Sequence, residues 1–502
     1  MGKQKTASAG APRDDAVVWT EIDWSVVRRN VRRLQCRIAK AVKEGRWNKV
    51  KALQHLLTRS LHAKLMAVQR VTSNKGRHTP GVDGVVWHGA RVKGQAVESL
   101  RRRGYQSKPL RRIYIPKKSG KKKRPLSIPT MKDRAMQALY KLALAPVAET
   151  LADRNSYGFR EGRSCADATA AAFNALSKPN SAPWILDADI LGCYDNIQQE
   201  WMLANIPMDG VVLRQWLEAG YVEDGRLYPT RKGAPQGGVI SPTLANQTLD
   251  GMEGAVHAAV PRRSRVNFVR YADDLIVTGK SQRLLEQSIR PTLEAFLAER
   301  GLQLSDEKTA ITHIKHGFNF LGHTLRKRAG TLHITPSRES VMTLRRKVGN
   351  VIRTHVSAPM PALVKKLNQA LRGWGNYHRH VDASAIFARL DHYVYQQLWR
   401  MLHRRHPNKS KGWLIRKYWT ATGRKWVFAA TATTRKGKQL YPVLRLCSLG
   451  GQRYVKVKAD ANPYLPEYGR YFWRRRHDKE AKILPARSAR EYRALFPQTK
   501  VS

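Results

Sequence analysis

Apolar residues return at three- and four-residue steps from Trp19 to about Thr72: Val27, Val31, Leu34 and Ile38, then Leu53, Leu56, Leu57 and Leu61. That period stacks them on one helix face. Residues 18–99 are therefore expected to form a helical N-terminal extension, behind a disordered tail at 1–17. The stretch Thr72 to Gly84 mixes turn residues with basic groups and reads as a loop. Arg112 to Pro116 then alternates like a strand, Ser119-Gly120 forms a turn, and Arg124 to Ile128 leads out, which predicts a basic β-hairpin. Met131 to Leu151 reads as a buried helix. Trp184 to Ile190, Phe268 to Tyr271 and Leu275 to Thr278 read as short apolar strands, and 281–300 as one amphipathic helix. Beyond residue 336 a helical period resumes through Leu344, Val348, Leu363, Leu367, Leu371, Leu390, Val394 and Leu398. Strands, helices and hairpins in alternation predict an α+β core, and no internal repeat is visible.

Charge sharpens this picture. Lys and Arg total 92 against 37 Asp and Glu, a formal net charge of +55. A compact chain this basic repels itself unless a polyanion neutralises it. Both a plain RNA or DNA binder and an enzyme with a long nucleic-acid track satisfy that requirement, and both bind less tightly as salt rises. No long uncharged apolar run suggests a membrane span. Cys36, Cys165, Cys193 and Cys447 lie too far apart for metal-ligand spacing or a disulfide framework, which fits a reducing compartment. The opening residues match the loose myristoylation pattern at Gly2 and Thr6, with nothing else pointing to a lipid anchor.

Candidate chemistry sits on the strands. Tyr271-Ala-Asp-Asp274 lies between two apolar runs, and Asp187-Ala-Asp189 ends a third. Alone, the first reads equally as a turn built on Asp, and the second as a carboxylate just past a buried strand. Together they suit a nucleotidyl-transfer site, in which two divalent ions about 4 Å apart act on the attacking and leaving oxygens. Carboxylates clustered among apolar strands are costly unless a cation joins them.

Tyr-Ala-Asp-Asp resembles the signature of reverse transcriptases, and Tyr194, five residues after Asp189, matches that family's spacing. The resemblance implies that Asp189, rather than Asp187 or Asp195, joins Asp273 and Asp274 as catalytic metal ligands for two Mg²⁺ ions, with Mn²⁺ a possible substitute. It makes Tyr194 a steric gate against the ribose 2′-hydroxyl, the alternative being a packed aromatic. Gly233-Ala-Pro-Gln-Gly-Gly-Val-Ile-Ser-Pro242 resembles the family's nucleotide-contacting turn, with Gln236 facing the base pair. Lys117 and Arg124 are expected to grip the triphosphate, while Lys121, Lys122 and Lys123 read as a generic phosphate-tracking patch. Lys308, in Gly301 to Thr309, is expected to protonate the leaving pyrophosphate. Phe318-Asn-Phe-Leu-Gly322 resembles the primer grip, so Phe318, Leu321 and Gly322 are nucleic-acid candidates.

Asn155 to Ser164, followed by Ala166-Asp167, is similar to bacterial group II intron enzymes, as is the loop ending Thr79 to Gly84. Arg163 is the nucleic-acid candidate there. Leu371 to His380 and Arg404 to Ser410 resemble the maturase domain X. Arg372, Tyr377 and Arg379 are its candidate RNA contacts, and Trp374 either stacks on bases or packs between helices. The implied fold is a right-hand polymerase. Fingers and palm would span 100–335, an α-helical thumb (domain X) 336–430, and a small basic C-terminal DNA-binding segment 431–502. Paired cysteines and histidines are missing from the last part, so no HNH endonuclease is expected, and the aromatic, basic stretch Pro463 to Arg476 reads as a DNA contact.

The implied activity is RNA-directed DNA synthesis on intron RNA together with assistance to splicing. The implied partners are group II intron RNA, target DNA, an RNA template with a DNA primer, and deoxynucleoside triphosphates, without a membrane, in a bacterial cytoplasm near the nucleoid. Rival readings are a domesticated or defence-associated reverse transcriptase, a splicing maturase that only binds RNA, and an RNA-dependent RNA polymerase. The second rival is disfavoured by the presence of all three acids, and the third by a gate as bulky as Tyr194.

Overall fold

The computed structural model describes residues 19–116, 123–422, 425–434, 437–477 and 483–484. The N-terminal tail with its Gly2 pattern, the hairpin tip carrying Lys117, Lys121 and Lys122, and most residues beyond His477 lie outside them.

Three helices, Trp24–Lys43, Trp47–Arg59 and Leu61–Ser73, build the N-terminal region. Asp23 starts the first by accepting the amide N–H groups of Ser25 and Val26. Their apolar faces do not close on themselves. Val31, Ile38, Leu57 and Val68 share one core with Leu139 and Leu144 of the long helix Met131–Leu151, and with Leu186 and Leu275 of the central sheet. The extension is thus continuous with the catalytic region.

The basic hairpin forms as expected. Leu110–Pro116 pairs antiparallel with Lys123–Ile128, setting Ile115 opposite Arg124. The short strands Tyr221–Glu223 and Arg226–Tyr228 extend it to four strands.

The central sheet has four antiparallel strands in the order Asn267–Tyr271, Asp274–Gly279, Trp184–Asp189, Ala310–His313. Alternate residues point to opposite faces. Leu186, Leu275 and Val277 enter the N-terminal core, while Ile185, Val269 and Ile276 enter a second core. This second core includes helix Cys165–Leu176 and the hairpins formed by Phe318–Phe320, His323–Arg328 and Thr331–Pro336. Burial on both faces explains why these strands read as near-continuous apolar runs.

Two expectations are corrected. Residues 281–300 do not form one regular helix: Gln282–Leu284 passes through a π turn, Leu285–Ile289, into Arg290–Ala298. Pro291 lacks the N–H that a continuous ladder needs there. The helical part of the thumb also ends sooner. Its helices Arg338–Thr354, Met360–His378, Ser384–Arg405 and Lys411–Tyr418 give way to a three-stranded sheet beginning at Trp419. Phe428, Ala430, Val443 and Leu446 complete the thumb core, which therefore runs past residue 430.

The chain then returns to the palm. Val457, Ala461 and Phe472 join the second core, and Tyr464 and Leu465 pack against Ala39 of the first helix. This docked segment and the fingers, palm and thumb make a right-hand α+β polymerase fold.

Candidate active site

The carboxylates gather where the central strands end. Asp189 and Asp274 are directly opposite each other in register. Tyr271 pairs with Asp274, so Ala272 and Asp273 make the two-residue turn, with Ala272 at φ 57. Burial and the repulsion of neighbouring acids raise the proton affinity of Asp187, Asp273 and Asp274. Asp274 is pushed up to about 7 by burial, then by Asp273 and Asp189. Asp273 is raised chiefly by burial, against the opposing pull of Lys308 and Arg124. Asp187, two residues before Asp189 on the same strand face, is also pushed up to about 7, by burial and then by Asp274 and Asp189. The sequence sets Asp187 aside, yet it shares the field of Asp189 and Asp274.

Among the described residues no three acidic, imidazole or thiol groups already close into a metal cage. Oxygen donors crowded together at raised proton affinity fit a hard divalent cation. Lys308 now supplies the opposing charge: its Nζ lies 2.8 Å from Asp189 Oδ2.

Tyr194 sits on a single helical turn, Cys193–Asn196, entered through Gly192 at φ 53. Its carbonyl accepts the Ala234 N–H at 2.7 Å. A Cβ at Gly233 would lie 2.4 Å from that same carbonyl, so the glycine allows the close approach. Three residues on, the Gln236 carbonyl accepts the Ser127 N–H of the fingers hairpin at 2.8 Å. One loop thus ties the tyrosine to the fingers. Burial pushes the Tyr194 hydroxyl well up, followed by Cys193 and Asp273, while Arg124 opposes the rise. Arg124 therefore stands within electrostatic reach of both Tyr194 and Asp273. Lys117 lies outside the described residues.

Several nucleic-acid candidates are engaged within the protein. Arg163 is spent inside the protein, its side chain 2% exposed, paired with Glu149 at 3.4 Å and donating to the Ala459 carbonyl at 3.0 Å. Phe318 is buried in the second core. The accessible parts of its motif are Asn319, which alternates outward, and the turn, with Leu321 at φ 49 and Gly322 exposed. Arg379 is half-buried and donates to the Leu449 carbonyl. Trp374 packs against His378 and donates to Ser340 Oγ at 3.0 Å, as its packing alternative required. Arg372 remains exposed. Tyr377 is half-exposed, and its hydroxyl donates to the Leu321 carbonyl at 2.8 Å, joining the thumb to the palm.

Sequence reasoning also missed Arg270. It is wholly buried beneath the Tyr271–Asp274 turn, with Nη2 2.6 Å from Asp250 and 3.9 Å from Asp153, and Nη1 3.3 Å from Asn246. A lone arginine in the strand Asn267–Tyr271 was the available signal. Its backbone pairs with Asn155 and Tyr157, and a Cβ at Gly158 would lie 2.4 Å from the Ala272 nitrogen. The Asn155–Ser164 motif therefore supports the acidic turn from behind.

Opposed carboxylates at the ends of two central strands, flanked by basic fingers and a helical thumb, define a polymerase palm. Three families match along the chain: the N-terminal domain of reverse transcriptase over residues 19–100, reverse transcriptase (RNA-dependent DNA polymerase) over 115–325, and the group II intron maturase-specific domain over 341–419. The chain belongs to the group II intron-encoded reverse transcriptase and maturase family. It is 31% identical over 338 residues to the group II intron-encoded protein LtrA of Lactococcus lactis subsp. cremoris, an alignment taking in 53% of this chain and 55% of LtrA. It thus spans about half the length of that relative. Protein YkfC of Escherichia coli is 31% identical over 309 residues, covering 53% of this chain and 81% of YkfC. A 91 kDa protein in the cob intron of Schizosaccharomyces pombe is 26% identical over 367 residues, covering 61% of this chain and 44% of that protein. No helix among the described residues is long and apolar enough to cross a membrane.

Proposed function

We propose that this protein is an RNA-directed DNA polymerase that copies group II intron RNA and assists its splicing and mobility. The observation that carries the polymerase reading is Asp189 facing Asp274 across two central strands, with Asp273 on the adjoining turn. Asp189, Asp273 and Asp274 are the residues that would hold two Mg²⁺ ions, for which Mn²⁺ is a possible substitute. Ions bound there would acidify the primer 3′-hydroxyl and shield the phosphates. Arg124, with Lys117, orients the triphosphate. Tyr194 excludes the 2′-hydroxyl, and Gln236 lies against the nascent pair. Lys308, held beside Asp189, delivers a proton to the pyrophosphate as it leaves.

The partners in this reading are intron RNA, an RNA template with a DNA primer, deoxynucleoside triphosphates and target DNA, in the bacterial cytoplasm near the nucleoid. Arg372 and Tyr377 of the thumb and the Leu321–Gly322 turn are the accessible candidates for contact with the duplex. The test is extension of a DNA primer on an RNA template by the purified chain. Wild-type protein with Mg²⁺ should extend it, and Asp273→Ala should not. Undiminished synthesis by an Asp189→Ala/Asp273→Ala protein would sink the assignment. Splicing assistance should survive both substitutions, because the RNA grip lies elsewhere.

A further inference from the structure

Between the N-terminal helices and the palm lies a cavity of about 1100 Å³, and none of the carboxylates of the candidate active site lines it. Its floor is apolar, from Met136, Leu139 and Ala143 of the long helix together with Ile206. Its walls are cationic, with Lys51, Arg59, Lys64, Arg101 and Arg103. Of the lysines and arginines around it, only Arg102 has a carboxylate partner among the described residues, Asp209 at 2.6 Å. Lys64 is partly buried, and burial followed by the charges of Arg101 and Arg59 lowers its proton affinity. Trp47 stands at the edge with 41% of its surface exposed.

A solvated basic face would be convex, with its charges spread apart. Here like charges converge on a concavity and gather around a half-buried ammonium, which disfavours the fold until an anion arrives. Phosphate is an anion that both guanidinium and ammonium groups bind well. The apolar floor and the exposed indole of Trp47 suit a flat, weakly polar ring, and nucleic-acid bases stack on aromatic side chains. The cavity is large enough for a nucleotide.

We propose that this cavity is a second nucleotide-binding site, separate from the polymerase centre, which takes an unpaired nucleotide of a structured RNA. The base lies on the floor beside Trp47, and the flanking phosphates meet Lys64, Arg59 and Arg101. Unstacked bases are what proteins read most readily in folded RNA. A free nucleoside triphosphate offers the same chemistry, so the test separates the two sources. The long helix links this site to the catalytic loop: on another side its Gln137 accepts the Val239 N–H at 2.8 Å.

The full chain is titrated, at one salt concentration, with a hairpin RNA carrying a single 2-aminopurine bulge and with its fully paired counterpart. The bulged RNA should bind about tenfold more tightly, the factor expected of one stacked base. Trp47→Ala should weaken the change in 2-aminopurine fluorescence. Lys64→Ala/Arg101→Ala should abolish the preference without lowering the melting temperature or slowing extension of a pre-annealed template–primer. Displacement of the bulged RNA by micromolar ATP would support the site and assign it to a soluble nucleotide. Equal affinity for bulged and paired RNA, or a preference that survives in Lys64→Ala/Arg101→Ala, would overturn the proposal.

Discussion

Arg475 and Asp167 meet 3.2 Å apart with both side chains closed off from solvent, although 308 positions separate them in the chain. The Asp167 carboxylate also accepts the Val457 N–H at 2.7 Å, the Ser164 N–H at 2.9 Å and the Tyr454 hydroxyl at 3.0 Å. Tyr464 is buried, donates to Glu161 at 2.8 Å and lies under Arg32 of the first helix. Phe472 fills the space left open by Gly162. Much of the aromatic and basic stretch that reads in the sequence as a DNA contact therefore clamps the N-terminal helices to the palm.

Removing residues 463–502 is accordingly expected to destabilise the whole catalytic region, not only its hold on DNA. Arg475→Ala strands the buried Asp167 charge and should cost about 3–5 kcal/mol. Thermal melting of the two variants checks this. Melting temperatures equal to that of the full chain, accompanied by lost DNA binding, would restore the simpler view of the segment as a DNA contact.

The contrast shows what the sequence makes legible. Strand and helix periods located the sheet, the hairpin and the long helices because burial imposes those periods directly. The paired acids were legible because carboxylates are conspicuous in apolar strands. Partner choice over long distances was not. Nothing local distinguishes Arg163, spent on Glu149 and Ala459, from Arg372, which stays exposed. Phe318 lies in a motif that suggests a ligand contact, yet alternation along its strand turns it inward. The thumb's closing sheet was obscured because Lys425–Thr434 is rich in Ala and Thr and shows neither period strongly.

Lys308 offers a test of its own. Its ammonium competes with any cation for Asp189, to which it is held at 2.8 Å. Lys308→Ala is expected to slow single-turnover extension by about a hundredfold or more through loss of the proton donor. The same change should lower the Mg²⁺ concentration that gives half-maximal rate, because the competing charge is gone. A slower rate with a raised Mg²⁺ requirement would instead make Lys308 a support for the carboxylates.

Tyr194 is held by a loop anchored on both sides, so truncating its ring should not displace the backbone. Tyr194→Ala is expected to raise ribonucleotide incorporation relative to matched deoxynucleotides by at least about tenfold, the worth of roughly 1.4 kcal/mol in the transition state. The ratio of incorporation rates on one template is the measurement. An unchanged ratio makes the tyrosine a packing residue.

The junction between palm and thumb should respond to acid. His323 is wholly buried, stacks on Tyr377 at 5.4 Å, and faces His378 and His380 at 4.8 and 5.4 Å. Burial holds His323 and His378 down to about 3, with neighbouring imidazoles adding to the effect. In the unfolded chain each would titrate near its ordinary value of about 6.5. Between those limits the unfolded state binds more protons, so stability is full above about pH 6.5 and falls as the pH drops toward 3. At pH 5 each histidine should have withdrawn roughly 2 kcal/mol. His323→Phe keeps a flat ring against Tyr377 and removes one titrating group. Its melting temperature should fall less steeply between pH 7 and pH 5 than that of the wild-type protein. Parallel curves for the two proteins would mean that His323 does not contribute to the acid sensitivity.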